Sequence, residues 1–322
     1  MQKLFTLLVC ITAFTASAQK IEGTVYDDEG KILPFASILV KGTPLGVSAN
    51  NQGKFSIALG PGNYTLVCRH VGYSTQEKSA VLTSQNITID FSLPVQKLVL
   101  KEVIVKKGGE DPAYEIIRQA IKKRSFYEKQ VTAFQAEVYI KGIIKLRKLP
   151  EKVLGKKIPE EDRNSMALDS SGKGIIYLSE SVTKVAMQQP DKVKLEVISG
   201  RESGSNGFGF NFPAFISFYQ NNVNMFASKL NPRGFVSPIA DGALNFYKYK
   251  FVGSFFEDGK EIDVIKVIPA RDYEPIFSGI INIMENDWRI YSCDLVLTKK
   301  SQLEILDSLE ISQIHVPVTD SI

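Results

Sequence analysis

The sequence is poor in the residues from which most metal centres and acid–base machines are built. It holds 3 cysteines and 2 histidines in 322 residues, which leaves little material for a zinc cluster or a histidine-based proton relay. His-Glu-x-x-His, Cys-x-x-Cys and the nucleophile elbow Gly-x-Ser-x-Gly do not occur. Charge of one sign is also missing. Lys+Arg numbers 39 against 35 Asp+Glu, a net +4, too small an excess to make a nucleic acid the main partner. The glycine-rich stretch at Gly207-x-Gly209 lacks the third glycine of a dinucleotide fingerprint and the Lys-Ser/Thr ending of a phosphate loop. The apolar run Leu4–Phe14 is too short to cross a bilayer.

What is present is ordinary globular material with a β bias. Hydrophobic residues make up 44% and charged residues 23%, which excludes a disordered chain, a collagen and a polytopic membrane protein. The 19 Phe and 12 Tyr lean toward strands. Residues 1–18 read as a secretory signal peptide: Lys3 gives a positive start, Leu4–Phe14 an apolar core, and Ala16-Ser17-Ala18 a small-x-small cleavage site. Cys10 follows bulky Val9 inside the apolar core, which argues against a lipid anchor there. Removal of this leader leaves Cys68 and Cys293, to which an oxidising setting leaves a bridge open; since they fall in different domains, two separately buried thiols are the expectation.

Residues 19–95 alternate short β runs with turns. Ile21–Tyr26, Ala36–Val40, Lys54–Leu59, Tyr64–Val71 and Ile87–Leu93 are the runs, and Asp27–Gly30, Asn50–Gly53 and Gly60–Asn63 are the turns. Such spacing predicts an antiparallel β-sandwich. The pieces Gly23-Thr24-Val25, Pro34-Phe35-Ala36-Ser37-Ile38, Lys41-Gly42-Thr43, Asn51-Gln52-Gly53-Lys54-Phe55, Gly62-Asn63-Tyr64 and Val71-Gly72-Tyr73 resemble the carboxypeptidase-regulatory-like domain. That resemblance implies a transthyretin-like sandwich without peptidase residues. His70 and Cys68 offer two ligands at strand spacing and no third, so a partly buried histidine among apolar neighbours is the expectation.

Residues 96–130 carry a strand at Leu98–Lys107 and then a helix. Asp111 is placed to cap it and Pro112 to occupy its first position. Ala113, Ile116, Ile117, Ala120 and Ile121 form one apolar stripe, with Arg118, Lys122, Lys123 and Arg124 loading the far end with positive charge. The expectation is a helix packed on one face and solvated on the other.

From residue 131 to 322 strands dominate: Phe134–Ile140, Ile175–Leu178, Ser181–Met187, Val193–Ile198, and hairpins around Glu257–Lys260 and Glu285–Asp287. Short connections predict a larger, curved antiparallel sheet. The charged stretch 141–163 is expected as a solvated loop. Phe208, Phe210, Phe212 and Phe215, followed by Phe218 and Tyr219, crowd one glycine-rich window. This window either touches a membrane or partner or folds into the core.

Asp111-Pro112-Ala113-Tyr114-Glu115-Ile116-Ile117, Leu244–Tyr249, Phe255–Gly259, Ile265–Pro269 and Phe277-Ser278-Gly279 resemble a Bacteroidetes family of unknown function whose members begin with the carboxypeptidase-regulatory-like domain. Members continue into strand-rich segments that look like an outer-membrane β-barrel, so the resemblance implies a truncated member. It implies a non-catalytic, exported envelope protein in the periplasm or outer membrane of a Gram-negative bacterium. The expected partner is an outer-membrane or periplasmic protein or lipid, with no cofactor, no metal and no nucleic acid. Two alternatives remain: the periplasmic part of a TonB-dependent receptor, and an envelope hydrolase using carboxylates. The helix at Asp111 stands where a receptor's plug would begin.

Overall fold

The structure is a computed structural model that describes residues 19–99, 109–146, 152–153, 156–157, 173–189, 192–204, 216–224, 233–303 and 308–315. The leader 1–18 and most of the strand expected at 98–107 lie outside the described residues.

The first unit is the expected sandwich. Its strands are β1 (Gln19–Asp27), β2 (Ser37–Val40), β3 (Gly46–Ser48), β4 (Lys54–Leu59), β5 (Gly62–Arg69), β6 (Gln76–Leu82), β7 (Ile87–Thr88) and β8 (Phe91–Leu93). β4 pairs antiparallel with β1, whose other edge takes β7 and β8 in parallel. The second sheet runs β3-β2-β5-β6. Alternation sends Phe55, Ile57 and Leu59 of β4 inward, onto Ile21, Val25, Ile38, Leu66 and Phe91. Each such side chain contributes about 1.5–3 kcal/mol on burial. Gly23 is required in the middle of β1, where the link between β7 and β8 passes close, because a Cβ there would lie 1.9 Å from the Ile89 carbonyl oxygen.

Helix α1 (Ala113–Lys129) follows. Pro112 holds the N-cap position rather than the first helical one. The Asp111 carboxylate accepts from the Ala113 N–H at 3.0 Å and from the Phe251 N–H at 2.9 Å, so it fixes the helix start to a strand as well. Ala113, Ile117 and Ala120 are buried, and Arg124 is buried with them. The basic end is therefore not uniformly solvated. Arg124 makes a forked pair with Asp241 (2.9 and 3.0 Å) and donates to the Tyr219 carbonyl at 2.6 Å.

The remaining strands are antiparallel and fall into two main sheets rather than one. They are β9 (Ala133–Leu146), β10 (Lys152–Val153), β11 (Lys156–Lys157), β12 (Gly174–Gln188), β13 (Lys192–Gly204), β14 (Asn222–Val223), β15 (Phe235–Val236), β16 (Tyr247–Glu257), β17 (Lys260–Pro269), β18 (Ser278–Met284), β19 (Ile290–Thr298) and β20 (Ser308–Ile314). One sheet is ordered β13-β12-β9, with β10–β11 and β14–β15 as small hairpins, and the other is the meander β16-β17-β18-β19-β20. β9 runs on to Leu146, so the charged stretch begins as strand. Ionic side chains are compatible with a pleated edge as long as they face water.

The meander's β16–β17 turn has Asp258 and Gly259 both at positive φ, 49° and 75°, as a two-residue type I′ hairpin needs. Its inner face buries Tyr247, Tyr249, Ile265, Ile281, Cys293 and Leu295 against α1 and against Phe218, Val223, Phe235, Ile239 and Ala243. Tyr247 is 1% exposed. Its hydroxyl donates to the Val236 carbonyl at 2.5 Å and accepts from the Phe277 N–H at 3.1 Å.

Cys68 and Cys293 are free thiols buried in the two separate cores. Burial pushes each thiol up to about 12, so neither is a thiolate near neutral pH. We expect no native-state reaction with a thiol reagent at pH 8, and reaction of both thiols in denaturant. Fast modification of the folded chain would contradict their burial.

Candidate functional site

The sandwich meets the outer face of the meander at a cleft. The chain leaving β8 lies against β16, where Val99 and Ser254 exchange backbone hydrogen bonds at 2.7 and 3.0 Å. Arg69, at the end of β5, reaches Asp258 in the β16–β17 turn at 3.2 Å. Between these two attachments is a cavity of about 300 Å³. Its roof is the turn His70-Val71-Gly72-Tyr73 with Thr75 and Gln96. Its floor is the meander, where Val252, Val264, Ile280 and Ile314 alternate with Asn282, Tyr291, Ser292 and Asp294.

The floor's polar groups form cross-strand pairs. Asn282 donates through Nδ2 to the Ser292 hydroxyl at 2.8 Å, and the Ser312 hydroxyl donates to Asp294 at 2.8 Å. Asn282 is 6% exposed, and its Oδ1 finds no hydrogen-bond partner. Such an orphaned acceptor costs about 1–3 kcal/mol unless something donates to it. Arg69 Nε is likewise buried and unpartnered. Tyr291 packs edge-on against Phe255 at 5.9 Å between ring centres. Burial pushes its phenol up to about 12, helped by the charge of Glu257, so it keeps its proton near neutral pH.

His70 does not join Cys68. β5 ends at Arg69, so Cys68 points into the sandwich core and the imidazole turns toward the roof. Its Nδ1 lies 2.9 Å from the Val71 carbonyl oxygen, its Nε2 lies 3.2 Å from that of Pro34, and its ring meets Tyr73 edge-on. His315 is held elsewhere, its ring 6.2 Å from Tyr219. Burial, with the charge of Arg289 second, lowers its proton affinity and keeps it neutral. The two histidines are therefore not brought together. Phe208, Phe210, Phe212 and Phe215 lie outside the described residues. Phe218 and Tyr219, at the end of the same window, pack into the inner core. Among the described residues no group of three or more His, Cys, Asp or Glu side chains could hold a metal ion.

No motif marks Arg69, Asn282 or Tyr291, and Tyr73 belongs to a motif of the sandwich fold that says nothing of a cleft. They sit on two units, and no local spacing links them. The only sequence signal was an Asn inside an otherwise apolar run, Ile280–Met284.

Residues 116–322 match the profile of a family of unknown function, DUF5686. The chain belongs to that family. In this DUF5686 member, residues 21–105 match the CarboxypepD_reg-like domain, in agreement with the sandwich. A stretch of 117 residues is 30% identical to TonB-dependent receptor P39 of Formosa agariphila, covering 35% of the DUF5686 chain and 11% of the receptor. A stretch of 104 residues is 32% identical to TonB-dependent receptor P3 of the same organism, covering 32% and 10%. The chain thus spans about a tenth of the length of the curated relatives it matches. Among solved structures, a DUF3823 family protein from Bacteroides ovatus overlays at a TM-score of 0.21 with 12% identity, over 56% of this chain and all of that one. An overlay that loose carries no argument. No helix among the described residues is long and apolar enough to cross a membrane.

Proposed function

We propose that the chain is a non-catalytic, exported cell-envelope protein, the periplasmic interaction or scaffold portion of an outer-membrane-associated assembly. The observation that carries this reading is the junction. A CarboxypepD_reg-like sandwich is tied to the family's β-meander by main-chain hydrogen bonds and an ion pair, and they enclose a cleft whose polar groups are arranged to hold rather than to react. Arg69 is paired through Nη2, Tyr291 keeps its proton, and both nitrogens of His70 face carbonyls. The partner in this reading is an outer-membrane or periplasmic protein or lipid. A second reading, the periplasmic part of a TonB-dependent receptor, draws support from the two receptor matches. Helix α1, packed on the meander, stands against it.

Cell fractionation tests the first half. The chain is expected in the envelope fraction with residues 1–18 removed, and a cytosolic chain with an intact leader would end the proposal. Screening the purified chain on peptide, glycan and ester substrates tests the second half. Turnover abolished by a single Asp or Glu substitution would make it an enzyme. In the same fractionation, changing Phe208, Phe210 and Phe212 to Ser is expected to reduce envelope recovery. Unchanged recovery would place the contact elsewhere.

A further inference from the structure

The sheet β13-β12-β9 ends in an edge that is apolar on one face and patterned in charge on the other. Cross-strand pairing puts Phe134, Ala136 and Val138 of β9, Met187, Val185 and Thr183 of β12, and Val193, Leu195 and Val197 of β13 on one face. In the central strand Val185 and Thr183 are at most 1% exposed, whereas Val193, Leu195 and Val197 are 52%, 38% and 64% exposed. The apolar stripe therefore runs across the sheet and opens to water at β13, which pairs only with β12 among the described residues. An open apolar edge of this length invites another strand, and natural proteins normally blunt such edges.

The opposite face says which strand. There Glu137, Lys184 and Glu196 lie side by side on three adjacent strands, an alternating charge ladder that ends at the edge on Glu196. Two residues before it on the same face comes Lys194. If a second β13 approaches antiparallel with the two-fold axis through Leu195, residue 195+k faces residue 195−k of the partner copy. Lys194 then lies opposite Glu196 twice, Val193 opposite Val197 twice, and Leu195 opposite itself. The ladder gains its next cation in register, and the apolar stripe continues into the second sheet. Moving the axis to Lys194 gives two Lys192–Glu196 pairs but sets Lys194 opposite itself, and moving it to Glu196 sets that glutamate opposite itself with no opposite-charge pair in return; like charges directly opposite destabilise the pair. Side chains alternate with period two, so moving the axis by half a residue would place apolar side chains opposite charged ones. The regular stretch 192–197 ends where the β12–β13 register shifts beside Val182 and Thr183.

We propose that β13 is a self-pairing edge, and that two copies of this chain join through it as an isologous dimer with a continuous six-stranded sheet. The partner is a second copy because the strand complements itself in apolar spacing and charge, and for pairs within the regular stretch 192–197 the Leu195 register alone combines two Lys–Glu pairs with no like-charged one.

Sedimentation velocity over a concentration series tests this, on chain purified after expression of the full 322-residue sequence. The wild-type chain is expected to dimerise. Lys194→Glu and Glu196→Lys each set like charges opposite at both positions and are expected to raise the dimer Kd by about tenfold or more. The double variant Lys194→Glu/Glu196→Lys restores opposite charges and is expected to dimerise again. An equimolar mixture of the two single variants is expected to form a heterodimer, because one chain then carries two anions and the other two cations. Both variants are surface changes, and far-UV circular dichroism checks that they fold. A wild-type chain monomeric throughout overturns the proposal, as does a dimer indifferent to the single changes. Failure of both the double variant and the mixture to restore association overturns it too.

Discussion

Raising the pH above 10 is expected to unfold this chain cooperatively, with tyrosinate appearing together with the loss of structure. Tyr247, Tyr249 and Tyr291 are packed in or on the meander. Burial holds the phenols of Tyr247 and Tyr249 well above the ordinary tyrosine range, and that of Tyr291 at about 12. In the unfolded chain each titrates near 10. A raised folded-state value means that the native protein keeps the proton longer. The stabilisation is complete below about pH 10 and is lost as pH climbs from there toward the folded-state values. At pH 11 each group has given up about 1.4 kcal/mol, so the three together remove about 4 kcal/mol. That is a large share of a typical domain's stability. Far-UV circular dichroism and tyrosinate absorbance, followed on one titration, check this. A full tyrosinate signal centred near pH 10 in a chain that remains folded would show these rings to be accessible.

Gly279→Ala is expected to be among the most damaging single-methyl additions among the described residues. Gly279 in β18 has φ 141°, a conformation L-residues rarely adopt, and a Cβ there would lie 2.1 Å from the Asp294 carbonyl oxygen of β19. Strain and steric clash act together, and the fault lies between two central strands of the meander. The expected loss is about 3 kcal/mol or more. Gly259→Ala makes the control. Its φ is also positive, 75°, but nothing lies within 4 Å of the added Cβ, so only the backbone term of about 1–2 kcal/mol applies. Chemical denaturation of both variants measures the difference. Equal losses would mean that β18 and β19 separate at no cost.

Much of this architecture was written locally. Phe55, Ile57 and Leu59 alternate in the sequence and alternate in burial. Asp258-Gly259 demanded a tight hairpin and forms one. The division of residues 131–322 into two sheets was not legible, because strand pairing between sheets is chosen by packing and not by any residue's propensity. Arg124 was read with its basic neighbours as solvated. Its spacing held the better signal, since Ala113, Ile117, Ala120 and Arg124 fall at successive i+3 and i+4 steps, and the helix buries all four. A cation on that face had to find an anion, and Asp241 lies 117 residues away. The cleft was illegible for the same reason. Arg69 and Asp258 are 189 residues apart; the first looks like an ordinary strand residue and the second like an ordinary turn residue.

That separation has a consequence for the order in which the molecule comes together. The sandwich closes on contacts within residues 19–93, so a chain made from its N-terminus can complete it early. Val99 has no strand to lie against until β16 exists, and Arg69 has no carboxylate until the β16–β17 turn is made. For the time it takes to add some 150 further residues, the finished sandwich presents Leu98, Val99 and the His70–Tyr73 roof to solvent. This interval is when a nascent chain is most open to mispairing with its neighbours. The junction that later ties the two halves together is, while the chain emerges, the sticky end of the first half.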